Sequence, residues 1–165
     1  MSIDEFNRAD RDAAIATLRL CVDITRWCEE IADGRPYDSV DGLVASAEVA
    51  AAPFTADEVE AALAHHPRIG ERARGTHAEA AMSRAEQAGV DPNDAAVADA
   101  LAAGNRAYEE KFGRVFLIRA AGRSAQQILD ALTARLDHSP AEEEPVVAEQ
   151  LREIAVLRLK GRFAT

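Results

Sequence analysis

The strongest constraint on this chain is its punctuation, which is helical from end to end. Thr55 with Glu58, Thr76 with Glu79 and Ser124 with Gln127 each set a hydroxyl three residues ahead of a Glu or Gln. At that spacing the hydroxyl accepts from an N–H of the first helical turn, and the longer side chain reaches back to the cap residue's own N–H. Asp91-Pro92 places an N-cap before a proline, which tolerates the first helical position. Ser139, Pro140 and Glu142 open a last helix. Hydrophobic residues make up 48% of the chain but aromatics only 5%, and much of the apolar share is alanine. Alanine favours helix and fills little volume, so Leu, Ile, Val and Ala contacts must hold the core.

Between these signals the periodicity predicts helices over residues 10–32, carrying Ile15, Leu18, Val22, Trp27 and Ile31, and over 39–50, carrying Leu43 and Val44. Others follow from Thr55 through Leu63, from Thr76 to a stop at Gly89, and from Pro92 to Phe112 with Gly113 beyond. Val115-Phe116-Leu117-Ile118 is apolar enough for a strand, but a single strand has no partner here, so it reads as a buried connector. Ser124 caps a helix with Ile128, Leu129 and Leu132 on its apolar stripe. The last helix carries Val146, Leu151, Ile154 and Leu157. The expectation is an all-α fold, a compact single-domain bundle of about seven or eight helices over residues 1–165, with irregular segments at 33–38, 64–76 and 112–123.

The formal net charge is −10, from 29 acidic and 19 basic residues. That balance argues against nucleic acid as a partner, because phosphate neutralisation needs clustered Lys and Arg. It leaves room for a small anionic ligand held by one arginine. No apolar run approaches the ~18 residues of a membrane span, and neither end carries a secretory or peroxisomal signal, so a cytoplasmic protein with no membrane partner is expected. Cys21 and Cys28 lie seven residues apart. On one helix that is about 10 Å of rise, too far for a disulfide, and both read as buried small hydrophobes.

The chemistry-bearing residues gather in and beside the irregular segments. His66 precedes Pro67, which disfavours helical backbone before it and restricts where the imidazole points. A proton relay near neutral pH is one reading; a histidine complementing the negative end of a helix is the other, for His65 as for His66. Ser83, Glu86 and Gln87 fall on one helical face, with Arg84 pointing away. They line a polar pocket or a solvated surface. Asn105, Tyr108 and Phe112 share another face and read as structural, with mid-helix Asn105 suggesting a buried side-chain hydrogen bond. No His-x-x-x-His spacing is present and His77 and His138 are isolated, so no metal site is expected.

Taken together, His66-Pro67-Arg68-Ile69-Gly70, Ser83-x-x-Glu86-Gln87-Ala88-Gly89 and Asn105-x-x-Tyr108-x-x-Lys111-Phe112-Gly113-x-x-Phe116 resemble the 2-oxo-4-hydroxy-4-carboxy-5-ureidoimidazoline (OHCU) decarboxylases. Trp27, Arg35-Pro36-Tyr37, Arg135-Leu136, Glu143 or Glu144, and Ile154 with Arg158-Leu159 extend the likeness, in order, over nearly the whole chain. Residue 68 is often acidic in that family; here it is Arg68.

The resemblance implies the last step of urate breakdown, a decarboxylation giving (S)-allantoin, by a homodimeric all-α enzyme. It implies that His66 is the catalytic acid or base, with Glu86 beside it in catalysis. Substrate contacts fall to Pro67, to the segment Ser83, Arg84, Ala85, Glu86 and Gln87, to Phe116, Leu117, Ile118, Arg119 and Ala120 (partly through backbone), and to Arg158. The ureidoimidazoline substrate carries a carbon–nitrogen double bond beside the departing carboxylate, so no cofactor is expected to serve as the electron sink that other decarboxylases borrow. Two rivals stand beside this reading: a decarboxylase-like enzyme for a related ureido substrate, and a non-catalytic helical interaction protein.

Overall fold

The computed structural model describes residues 1–64, 69, 86 and 95–164. Eight helices lie among the described residues, with no strand: α1 (Ile3–Arg8), α2 (Arg11–Arg19), α3 (Thr25–Asp33), α4 (Val40–Ala50), α5 (Ala56–Leu63), α6 (Ala95–Phe112), α7 (Ala125–Leu136) and α8 (Pro140–Phe163). The all-α class is as expected. The helix expected over 76–89 lies outside the described residues except for Glu86, whose backbone is helical.

Most helix starts sit where the cap signals put them. Ser39 caps α4 and accepts from the Gly42 N–H. Thr55 and Glu58 exchange both capping hydrogen bonds at the start of α5, at 3.0 and 3.2 Å. Ser124 and Gln127 do the same for α7, and Ser139 and Glu142 for α8. Two features depart from expectation. Helix α1 was not foreseen, although Ser2 and Glu5 form a full capping box, the same signal read elsewhere. The single helix expected over 10–32 is two helices separated by residues 20–24. The spacing of Val22 and Trp27 is compatible with one helix, but the chain turns after Arg19, with Cys21 and Val22 both hydrogen-bonded back to Leu18 O. Cys21 and Cys28 therefore do not share a helix, so rise along one helix does not decide their pairing; both are nonetheless buried and form no disulfide, and burial pushes the Cys28 thiol up to about 11.

The described chain forms two compact units, Met1–Ala62 with Leu151–Thr165 and Leu63–Gln150. Helix α8 contributes to both, its first half to the second unit and its second half to the first.

In the first unit the early motif residues act as staples. Trp27 is fully buried and its indole N–H donates to Ala47 O at 3.0 Å. The Arg35 guanidinium donates to the carbonyls of Ala32, Phe6 and Ala9, satisfying the orphan end of α1, and stacks on the Phe6 ring. Tyr37 donates to Ile31 O, and Asn7 exchanges two hydrogen bonds with the Tyr37 backbone. From α8, Leu151, Ile154, Ala155 and Leu159 are buried, while Leu157, expected on the apolar stripe, is 40% exposed. Leu151 and Ile154 thus lie on the stripe as expected, and beyond them the buried position is Arg158 in place of Leu157.

In the second unit α6 and α7 pack closely at Gly104. A Cβ at that position would stand 2.5 Å from Leu132 Cδ2, and Leu132 is fully buried. Gly104→Ala must therefore displace a side chain with nowhere to go, and is expected to destabilise the protein by about 1–3 kcal/mol in urea unfolding. Gly161→Ala is the control: it lies in α8 with nothing within 4 Å of the new carbon. Its helix preference alone predicts a neutral to stabilising change.

Candidate active site

The segment following α6 is the best-defined candidate. Gly113, at φ +68, ends the helix in a conformation L-residues avoid. Its N–H closes on Glu109 O, and Lys111 reaches across to cap the end of α7 at Leu136 O. From Val115 to Ala120 the chain has neither helix nor turn. Phe116, Ile118 and Ala120 all enter one core cluster with Ile69, Leu101, Tyr108, Ile128 and Leu132. Alternate residues facing one side is the mark of an extended chain. With those three side chains packed in the core, what they can offer a ligand is main chain.

That main chain is held at two points. Leu117 C=O accepts from Arg135 Nη1 at 2.7 Å, and the Arg119 N–H donates to Gln150 Oε1 at 2.9 Å. In an extended chain the peptide groups of residues 117 and 119 share an edge, and those of residue 118 face the other edge. Among the described residues neither the N–H nor the C=O of Ile118 makes a hydrogen bond, although the residue is only 4% exposed. A buried peptide group left unpaired costs about 1–3 kcal/mol, so an orphan donor and acceptor side by side mark a place for a ligand's polar edge.

Arg135 is fixed in turn by Glu143, the more buried of the two acids matched at 143–144. Glu143 Oε1 accepts from Arg135 Nε at 2.7 Å, from Arg135 Nη2, and from the Tyr108 hydroxyl at 2.7 Å. Oε2 lies 2.9 Å from His138 Nδ1. Burial pushes the Glu143 carboxyl up, but the Arg135 and Tyr108 hydrogen bonds outweigh it and hold the carboxyl below its ordinary value. Burial and the neighbouring carboxylate push the Tyr108 phenol well above its ordinary value, so it stays a donor. The guanidinium also lies 4.5 Å from the centre of the Phe116 ring.

Asn105 bears out its reading as a buried mid-helix hydrogen-bonder. Its Nδ2 donates to Ile69 O at 2.9 Å, holding the backbone three residues after His66. Its Oδ1 is buried with no hydrogen-bond partner.

Of the other sequence-derived candidates, Glu86 has helical backbone and a partly exposed side chain. Arg158, in the first unit, is 4% exposed and donates to Cys21 O at 3.3 Å. His65, His66, Pro67, Arg68, Ser83, Arg84, Ala85 and Gln87 lie outside the described residues. The structure thus brings together Phe116 to Ala120 and their supports. Among the described residues no group of His, Cys, Asp and Glu could hold a metal ion. Two contributors were missed from sequence. Gln150 carried no signal, being one polar residue on a long helix. His138 read as isolated because Glu143, five residues on, meets it only through the turn into α8.

These features define an all-α protein whose candidate ligand-facing groups come from extended main chain braced by a buried ion pair. The chain belongs to the OHCU decarboxylase family, whose model matches residues 7–160. It is 29% identical to the 2-oxo-4-hydroxy-4-carboxy-5-ureidoimidazoline decarboxylase of Haloferax volcanii, over all of this chain and 98% of that one. It is 33% identical to the protein of the same name from Amia calva, over 77% of this chain and 74% of that one. Among solved structures, an OHCU decarboxylase crystallised in the presence of (S)-allantoin superposes with a TM-score of 0.70 at 22% identity, covering 95% of this chain and all of that one. An (S)-allantoin synthase does so with 0.72 at 17% identity, covering all of this chain and 55% of that one. At these identities the two structures speak to the fold.

The ion pair makes a pH-dependent prediction. Because the folded Glu143 carboxyl titrates below the ordinary glutamate value of 4.5, its stabilisation is present above that pH and is lost as pH falls through the folded value. Glu143→Gln leaves Arg135 buried without its counter-charge and is expected to cost on the order of 3 kcal/mol at neutral pH. In urea melts the gap between wild type and variant should narrow as pH is lowered below 4.5. A gap that widens there would contradict the assigned direction.

Proposed function

We propose that this protein decarboxylates 2-oxo-4-hydroxy-4-carboxy-5-ureidoimidazoline to (S)-allantoin. What carries the reading is family membership over residues 7–160, nearly the whole chain. The orphan peptide groups of Ile118, inside the segment the resemblance assigned to substrate, support it. That continuous match is also why we treat residues 1–165 as one family domain. A homodimer in the cytoplasm completes the proposal, on the family likeness alone.

As the carbon–carboxylate bond breaks, its electron pair flows into the ring towards the adjacent carbon–nitrogen double bond. A proton then goes to the carbon bearing the ureido group, and the side it arrives from sets the handedness of the product. The protein's task is to hold the ring, orient the carboxylate and control that proton, with no metal or organic cofactor. In this reading His66 relays the proton, in a backbone restricted by Pro67. Glu86 accepts from the substrate hydroxyl or ureido groups. Ser83 and Gln87 fix ring edges within the segment that includes Arg84 and Ala85, and Arg158 holds an anionic or carbonyl oxygen. Phe116 to Ala120 contribute main chain, Ile118 above all.

The direct test is to generate the substrate from urate enzymatically and follow optical activity with and without the protein. Accelerated appearance of one enantiomer is expected; unchanged decay to both hands would refute the activity. Acceleration of a related ureido compound alone would favour the shifted-substrate reading instead.

Two substitutions test the roles. His66→Asn should lose roughly 10²–10⁴-fold in turnover with the fold intact, while His65→Asn changes little. Near wild-type rates in His66→Asn would remove it from the mechanism. Glu86→Gln, which keeps the size and drops the charge, should lower kcat/KM by about 2 kcal/mol or more at nearly unchanged thermal stability. Arg84→Gln is its control, and damage from Arg84→Gln alone would mean that the helix presents another face.

A further inference from the structure

We infer that Gln150 and Arg135 are positioning residues for the substrate site, acting together as a two-point brace on the segment 116–120. The inference rests on the proposed function and deepens it. Its basis is the pairing of two flanking hydrogen bonds with one orphan residue. Arg135 holds the carbonyl of Leu117 and Gln150 holds the amide of Arg119, so the chain is fixed on either side of Ile118. Both bonds lie on one edge of an extended chain, which turns the free N–H and C=O of Ile118 to the other.

The two supports differ in kind. Arg135 is buried, pinned by Glu143 and seated over the Phe116 ring, so its direction is set before any ligand arrives. Gln150, on α8, is partly exposed and supplies a single acceptor. A side-chain amide offering its oxygen to a backbone N–H leaves its own NH2 to solvent or to other groups. An aliphatic side chain of similar size could fill the space but could not accept. The Gln150 contact is therefore separable from packing, whereas removing Arg135 strands the Glu143 charge. Misplacing a reacting or binding group by about 1 Å costs on the order of 10²-fold. A main-chain donor and acceptor freed to shift by that much fall under the same penalty.

The experiment compares Gln150→Leu, which cannot accept, with Gln150→Glu, which still can. Wild-type turnover is measured first in the urate-coupled assay. Gln150→Leu should lower kcat/KM by about 10- to 100-fold, with a thermal midpoint close to wild type and faster hydrogen exchange at the amide of Arg119, whose hydrogen bond it removes. Gln150→Glu should recover most of the loss in both readouts. Wild-type kinetics in Gln150→Leu would overturn the brace, as would equal losses in the two variants or unchanged exchange at the Arg119 amide. Absence of turnover by the wild-type protein is a separate result: it refutes the proposed function, and with it any positioning role for that reaction.

Discussion

The second unit depends on one buried carboxylate. Glu143 is 1% exposed, and it stays charged because Arg135 and Tyr108 donate to it from two other helices. A buried ion pair is weak evidence for stability, since desolvating both charges offsets much of their attraction. Its value here is geometric. Tyr108 on α6, Arg135 on α7 and Glu143 on α8 meet at one point, so the three helices are held in register by hydrogen bonds that tolerate little displacement. The remaining arm of Arg135 carries that register out to the Leu117 carbonyl.

From this follows a division of labour along α6. Tyr108 fixes the ion pair that braces the segment after the helix, and Asn105, one turn earlier, holds the carbonyl of Ile69. One helical face thus holds main chain at two places, Ile69 and, through Glu143 and Arg135, Leu117. The first unit is organised differently. There Arg35, Tyr37, Trp27 and Asn7 spend their polar groups on carbonyls and amides at helix ends and loops. Polar motif residues thus serve as staples in one unit and as braces in the other.

Much of the fold was legible because helix starts are local events. The Thr55–Glu58 and Ser124–Gln127 caps need only four consecutive residues, and both formed as read. The break at 20–24 was not legible, since apolar spacing through Val22 and Trp27 continues across it and no glycine or proline marks it. Helix α1 carried a readable cap at Ser2 but only one turn of apolar pattern. At the candidate site, the family resemblance pointed to the segment 116–120, and Asn105 and Tyr108 are buried, as a structural role requires. The orphan peptide groups of Ile118 and the reach of Gln150 could not be read, because main-chain hydrogen bonds have no residue signature. Choosing Glu143 over Glu144 likewise needed the helix's rotation, which only packing sets.

The proposed use of main chain at Ile118 to recognise the substrate is open to direct observation. The most direct measurement is a titration of the 15N-labelled protein with (S)-allantoin, the product, followed amide by amide. The Ile118 amide should move among the most strongly and saturate with the binding curve, while (R)-allantoin should move it less. Saturable binding that leaves the amides of residues 116–120 unmoved would contradict that use.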